Sequence, residues 1–150
     1  MTIVIRDASP ADGPIIAEFN SRLREETEGK PLDPEVIGPG VAAMLADPLK
    51  GRYWVAETEG EIVGQIMVTY EWSDWRNGTW WWLQSVYVRE DHRQSGIFKA
   101  LYRYIEALAR GEDSVVGIRL YVEKDNGRAQ SIYDGLGFRD TGYQMQQKVF

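Results

Sequence analysis

The stretch HRQSGIFKAL, residues 92–101, combines backbone and side-chain features that could bind an anion. It separates an extended apolar run, WWWLQSVYV (80–88), from a helix-like run, IFKALYRYIEAL. A strand ending near Val88 and a helix beginning near Gly96 would leave the N–H groups of Gln94, Ser95, Gly96, Ile97 and Phe98 converging on one small volume. That volume lies at the positive end of the helix. Gly96 would admit phosphate where a Cβ would obstruct it, and Arg93 and Lys99 add charge on either side. The chemistry indicated is phosphate binding. Neither GxGxxG nor GxxxxGK[ST] occurs, so a dinucleotide fold and a P-loop are unsupported. Taken alone, the stretch reads equally well as a turn with a solvated basic rim.

Composition narrows the classes. A chain of 150 residues suits one domain, residues 1–150, with a substantial core. Its 43% apolar and 27% charged residues give a soluble globular balance. The absence of Cys excludes disulfides, thiolate metal sites and cysteine nucleophiles, and a single His argues against a histidine-rich metal site. No metal is expected. A net charge of -6 and a pI of about 4.9 argue against nucleic acid and favour a neutral or cationic partner. The opening MTIVIRDASPADG lacks the basic start and long apolar run of a signal peptide, and no segment reaches membrane-span length. The expectation is a cytoplasmic protein with no membrane partner.

Periodicity then places the elements. TIVIRDA (2–8) alternates as a strand, and Ser9-Pro10 leads into a helix that Gly29 and Pro31 end. DPEVIGPGVAAMLAD reads as a second helix bent or broken at Gly38-Pro39-Gly40. RYWVAET (52–58) and EIVGQIMVTYEW (61–72) form a hairpin about Glu59-Gly60. The run 80–88 is apolar on both faces, as an interior strand would be. Ile97, Leu101, Ile105 and Leu108 recur at helical spacing. VVGIRLYVE (115–123) is a strand, Asn126 caps a helix that Gly135 and Gly137 terminate, and Phe138 to Val149 holds one strand or two short ones. The order implies an α/β layered sheet with mixed pairing.

Three segments carry a family resemblance. VYVREDHRQSGIFKALYRYIEALA resembles the acyl-CoA binding motif of the GNAT N-acetyltransferase superfamily. Arg93 and Gly96 match its arginine and central glycine, whereas Phe98 stands where the family has Gly or Ala. RLYVEKDNGRAQSIYDGLGF is similar to the second signature at Asn126, Ala129, Tyr133, Gly137 and Phe138. IVIRDASPADGPIIAEF resembles the first strand and helix. The resemblance implies a GNAT-like mixed, mostly antiparallel central sheet of six to seven strands flanked by about four helices. It also implies a splayed strand pair that binds acetyl-CoA.

Roles follow from that resemblance. The backbone of Val86 and Val88 would meet the pantetheine amides as an added strand does, and Arg93 to Lys99 would hold the pyrophosphate. Asn126 is both a helix cap and a cofactor contact; Arg128 reads as a phosphate contact or as solvated. Tyr133 matches the family's thiolate-protonating tyrosine. The position of a glutamate base in some polyamine acetyltransferases falls on Gln84, which cannot accept a proton but can orient water or an amine. Glu71 is the nearest alternative carboxylate in sequence, and a solvated strand end is its equal reading. Glu25, Glu26 and Glu28 could attract a cationic amine or be ordinary helix surface. Trp81 must point away from Trp80 and Trp82. The other face, with Trp72 and Trp75, could wall an acceptor site or make a homodimer contact. His92 reads as surface or phosphate-adjacent. The leading function is acetyl transfer to a primary amine of a small molecule. A CoA-binding or sensing module without transfer activity, a protein or peptide acetyltransferase, and a structural dimerisation domain are the alternatives.

Overall fold

The apolar runs assemble into one five-stranded sheet in the computed structural model, which describes all of residues 1–150. The order is sequential: β1 (Val4–Asp7), β2 (Arg52–Thr58), β3 (Glu61–Ser73), β4 (Gly78–Val88) and β5 (Val115–Leu120). The pairs β1–β2, β2–β3 and β3–β4 are antiparallel, and β4–β5 is parallel. Four α-helices accompany it: α1 (Gly13–Glu28), α2 (Pro34–Ala46), α3 (Ile97–Arg110) and α4 (Gly127–Gly135). The chain divides into two compact units, Met1–Leu120 and Tyr121–Phe150.

In the first unit the sheet is covered on both faces. Tyr53, Val55 and Met67 pack with Ile16 of α1 and Val41 of α2. On the opposite face α3 buries Ile97, Leu101 and Ile105. Its approach is close enough that a Cβ on Gly64 of β3 would stand 3.0 Å from Ile97 Cγ2. Trp81 is buried on this side, its ring centroid 6.1 Å from that of Trp54, while Trp80 and Trp82 are only half-buried. Glu59 and Gly60 both take positive φ, as a two-residue hairpin turn requires.

Three expectations need correction. The sheet has five strands rather than six or seven, because Phe138 to Val149 forms none. There the side chains of Asp140 and Thr141 accept from the N–H groups of Gly142 (2.7 Å) and Tyr143 (3.2 Å), taking donors that a ladder would use. β5 stops at Leu120 rather than continuing to residue 123. Finally, α2 runs unbroken through Pro39. Pro39 and Glu35 are exposed, so the carbonyl that loses its intrahelical donor can turn to water. The Asp33 side chain caps this helix by accepting from Glu35 N–H at 2.9 Å.

In the second unit, Asn126 does cap α4: its Oδ1 accepts from Ala129 N–H at 3.1 Å.

Candidate active site

A bulge in β4 organises the site. Gln65 of β3 pairs with Tyr87, but Met67 pairs with Gln84, so Ser85 and Val86 together face Ile66. Ser85 takes φ 49, a left-handed conformation uncommon for a residue with a side chain. The extra residue reverses the side-chain alternation. Before it Trp81 packs on Trp54; after it Tyr87 packs on Phe19 of α1, with ring centroids 5.0 Å apart. A buried polar chain fastens the bulge. Gln65 Nε2 donates to the Ser85 carbonyl (3.0 Å) and to Asn20 Oδ1 (2.9 Å), and Asn20 Nδ2 donates to the Tyr53 hydroxyl (2.9 Å). Burial pushes the Tyr53 phenol pKa up.

Beside the bulge, α1, α2 and the sheet border an open cavity of about 560 Å³. Leu23, Ile37, Val41, Met44 and Met67 supply its apolar walls, and Asn20, Tyr53 and Ser85 line it as polar groups. That volume suits a small molecule.

On the other side of the bulge, pairing with β5 ends at Leu83↔Leu120, whereas β4 continues to Val88. Because Arg89 N–H donates to the Val63 carbonyl, the N–H and C=O of Val88 face away from β3. The Val88 carbonyl accepts from Arg93 Nε at 2.9 Å. Arg93 Nη2 also donates to both oxygens of Glu26 at 2.9 Å, and its guanidinium lies 5.4 Å from the Tyr87 ring centroid. Arg93 thus folds the loop back onto the strand instead of standing free beside it.

The loop itself has a one-turn 3-10 helix at Glu90–His92, then Gln94 (φ 61) and Gly96 (φ 86) in the left-handed region. Ser95 donates its hydroxyl to the His92 carbonyl, and His92 Nδ1 lies 2.8 Å from Asp91 Oδ1. A Cβ on Gly96 would meet nothing within 4 Å, so glycine is required by the backbone angle, and the space before it is open to a ligand. The first intrahelical bond starts at Ala100 N–H, which donates to Gly96 O at 3.0 Å. The N–H groups at the start of α3 therefore have no intrahelical acceptor. This cradle fits a phosphate.

Gln84 and Glu71 are differently placed. Gln84 Nε2 donates to Thr69 Oγ1 at 2.6 Å, and Gln84 is the cross-strand partner of cavity-lining Met67. Glu71 lies four residues further along β3, roughly 13 Å away along the strand. It accepts from the Trp82 indole N–H at 2.8 Å and pairs with Arg119 at 3.2 Å. Arg119 in turn stacks 3.9 Å over the Trp80 ring centroid. Trp72 and Trp75 are exposed. In the second unit, Tyr133 makes an edge contact with Phe138, centroids 5.7 Å apart, and burial pushes its phenol pKa up.

The sequence profile of the acetyltransferase (GNAT) family matches residues 16–138. The chain belongs to this family. A crystal structure of a Clostridium difficile 630 protein described as a possible acetyltransferase is 45% identical and superposes with a TM-score of 0.93, covering 100% of this chain and 99% of that one. An integron cassette protein from the Cole Harbour salt marsh metagenome is 21% identical, with a TM-score of 0.83 over 97% of this chain and 89% of that one, and shows the shared fold alone. N-acetyltransferase family 8 member 2 of Rattus norvegicus is 32% identical over 107 residues, which are 67% of this chain and 47% of the relative. The chain spans about half the length of that curated relative.

Within the GNAT frame, the fold brings together Gln84, Val86, Val88 and the loop from Arg93 to Lys99 on one strand and its exit. It sets Glu71 on β3 four residues beyond Met67, the cross-strand partner of Gln84 on β4. The sequence reading missed Asn20, Tyr53 and Gln65. Their signal was a polar residue in an apolar setting: Gln65 inside IVGQIMV, and Asn20 on the stripe of Ile16, Phe19 and Leu23.

Proposed function

We propose that the chain transfers an acetyl group from acetyl-CoA to a primary amine of a small molecule, by direct attack in a ternary complex. One observation carries this: β4 borders the amine-sized cavity at Ser85 and runs, unpaired on its β5 side after Leu83, into the anion cradle. A single strand thus serves both substrates. The Val86 backbone and the Val88 N–H suit the pantetheine amides, the Val88 carbonyl being held by Arg93. The N–H groups from Gln94 to Phe98 suit the pyrophosphate. Asn126 keeps its proposed cofactor contact alongside its capping role.

Transfer forms a C–N bond and breaks the C–S bond; one proton leaves nitrogen and one returns to sulfur. Gln84 is assigned the positioning of water or amine, since it cannot act as a base. Glu71, tied to Trp82 and Arg119, is the weaker candidate. With no carboxylate assigned as base, solvent takes the amine proton. Tyr133 is assigned the proton for sulfur on its match to the family motif, and a raised phenol pKa keeps that proton in place near neutral pH.

Calorimetric titration with acetyl-CoA, followed by thiol release with an amine panel, tests the reading. Saturable binding near one site per chain and amine-dependent thiol release are expected. Binding without release to any amine would favour a CoA-sensing module, and no binding would remove the cradle assignment.

A further inference from the structure

The cavity assigned to the amine also selects among amines. Leu23, Leu32, Ile37, Val41, Met44 and Met67 supply its apolar wall. Apart from Arg24 and Glu28, its polar lining, Asn20, Thr27, Tyr53 and Ser85, is uncharged. The only ionised side chains at it are Arg24 and Glu28, which neutralise each other at 2.8 Å. Apart from that ion pair, the lining presents no anion to a second cation.

Two of the carboxylates and one of the rings that could draw in a polycation are occupied by the protein's own arginines. Glu26 holds Arg93 and Glu71 holds Arg119. The Trp80 ring is approached by the guanidinium of Arg119 at 3.9 Å and that of Arg76 at 5.1 Å. A second ammonium held against the apolar part of the wall would lose water there without meeting an anion. The reacting nitrogen gains from the same surroundings, which favour the neutral form that attacks. Resting on the acetyl-transfer reading, we infer that the acceptor is a monoamine with an apolar body, and that the cavity rejects diamines and polyamines.

Hexylamine and pentanediamine are nearly isosteric and differ in a terminal methyl against a second ammonium, so they test the inference directly. With acetyl-CoA saturating, kcat/KM for hexylamine should exceed that for pentanediamine by roughly tenfold or more. Leu32→Glu, which places a carboxylate at a half-buried wall position, should shrink or invert that ratio. Equal or higher kcat/KM for the diamine in the unmodified protein overturns the inference. Failure with every amine would instead strike the transfer reading, and the cavity is then read by binding alone. Isotope-labelled methyl resonances of Met44 and Met67 should shift saturably with hexylamine and not with pentanediamine. Equal shifts, a preference for the diamine, or no shift with either amine also overturn it.

Discussion

Gln65 holds the carbonyl of Ser85 at 3.0 Å, and through it a fully buried side chain on β3 fixes the bulge of β4. The same amide group donates to Asn20, so α1 and the bulge are tied to one point. Gln65→Leu keeps the volume but leaves the Ser85 carbonyl and Asn20 Oδ1 without their donor. Urea unfolding should show a loss of about 1–3 kcal/mol. Acetyl-CoA affinity should also fall, because Ser85 and Val86 begin the strand segment assigned to it. Unchanged stability together with unchanged affinity would mean that the bulge holds itself.

Gly96 separates backbone angle from ligand space. Gly96→Ala strains a residue at φ 86 without creating a clash, and should cost on the order of 1–2 kcal/mol. Gly96→Glu carries the same strain but points a carboxylate at the first turn of α3. The helix tolerates a negative charge there, whereas a phosphate does not. Acetyl-CoA affinity should therefore fall far more in the Glu variant than in the Ala variant at similar stability. Calorimetry on both proteins decides; equal affinities would place the phosphate elsewhere.

Features set by neighbours in sequence were legible before any coordinates. The α3 stripe of Ile97, Leu101 and Ile105 is buried as its period requires, and Trp81 turns away from Trp80 and Trp82. Gly29 at φ 80 ends α1 and Asn126 caps α4, both local effects. What escaped depends on partners far along the chain. Arg93 turns inward because Glu26, 67 residues away, meets it. The parity reversal in β4 depends on Gln65 and Asn20, and alternation alone continues through Ser85 unbroken. The continuity of α2 at Pro39 depends on which side of the helix faces water. For the segment after Phe138, apolar alternation suggested strands, but Asp140 and Thr141 divert the backbone donors.

Arg6 supports the entry to α1 through Asp12. Its guanidinium bonds both Asp12 oxygens, at 2.7 and 3.0 Å, and Glu57 at 2.7 Å. Arg6 is the main reason that the Asp12 carboxyl pKa is lowered from 3.8 to about 2. A lowered folded-state value stabilises the fold above the ordinary carboxylate pKa, and that contribution is lost as pH falls from near 3.8 through about 2. With Arg6 partly exposed, the contribution is on the order of 1–2 kcal/mol. Asp12→Asn should lower unfolding stability by about that amount at pH 7, and the difference from the unmodified protein should narrow below pH 4. Parallel urea titrations at both pH values measure it; a difference that persists at low pH would assign the effect to lost hydrogen-bond geometry rather than charge.

Tyr133 offers the sharpest test of the chemistry, because removing its hydroxyl need not disturb its ring. Tyr133→Phe retains the edge contact with Phe138 and should leave acetyl-CoA affinity within about twofold. Turnover should fall on the order of a hundredfold if the phenol supplies the proton to sulfur. The pH profile distinguishes this from a packing defect. With solvent as the base, turnover should rise with pH as the amine deprotonates, and the raised phenol pKa means that the acid is still protonated through that range. Loss of the acid should therefore appear only above the ordinary phenol range in the unmodified protein. The Phe variant should keep the rise and lack that late fall. A variant that turns over within threefold of the unmodified protein across the range would remove Tyr133 from the acid role, and sulfur would then take its proton from water.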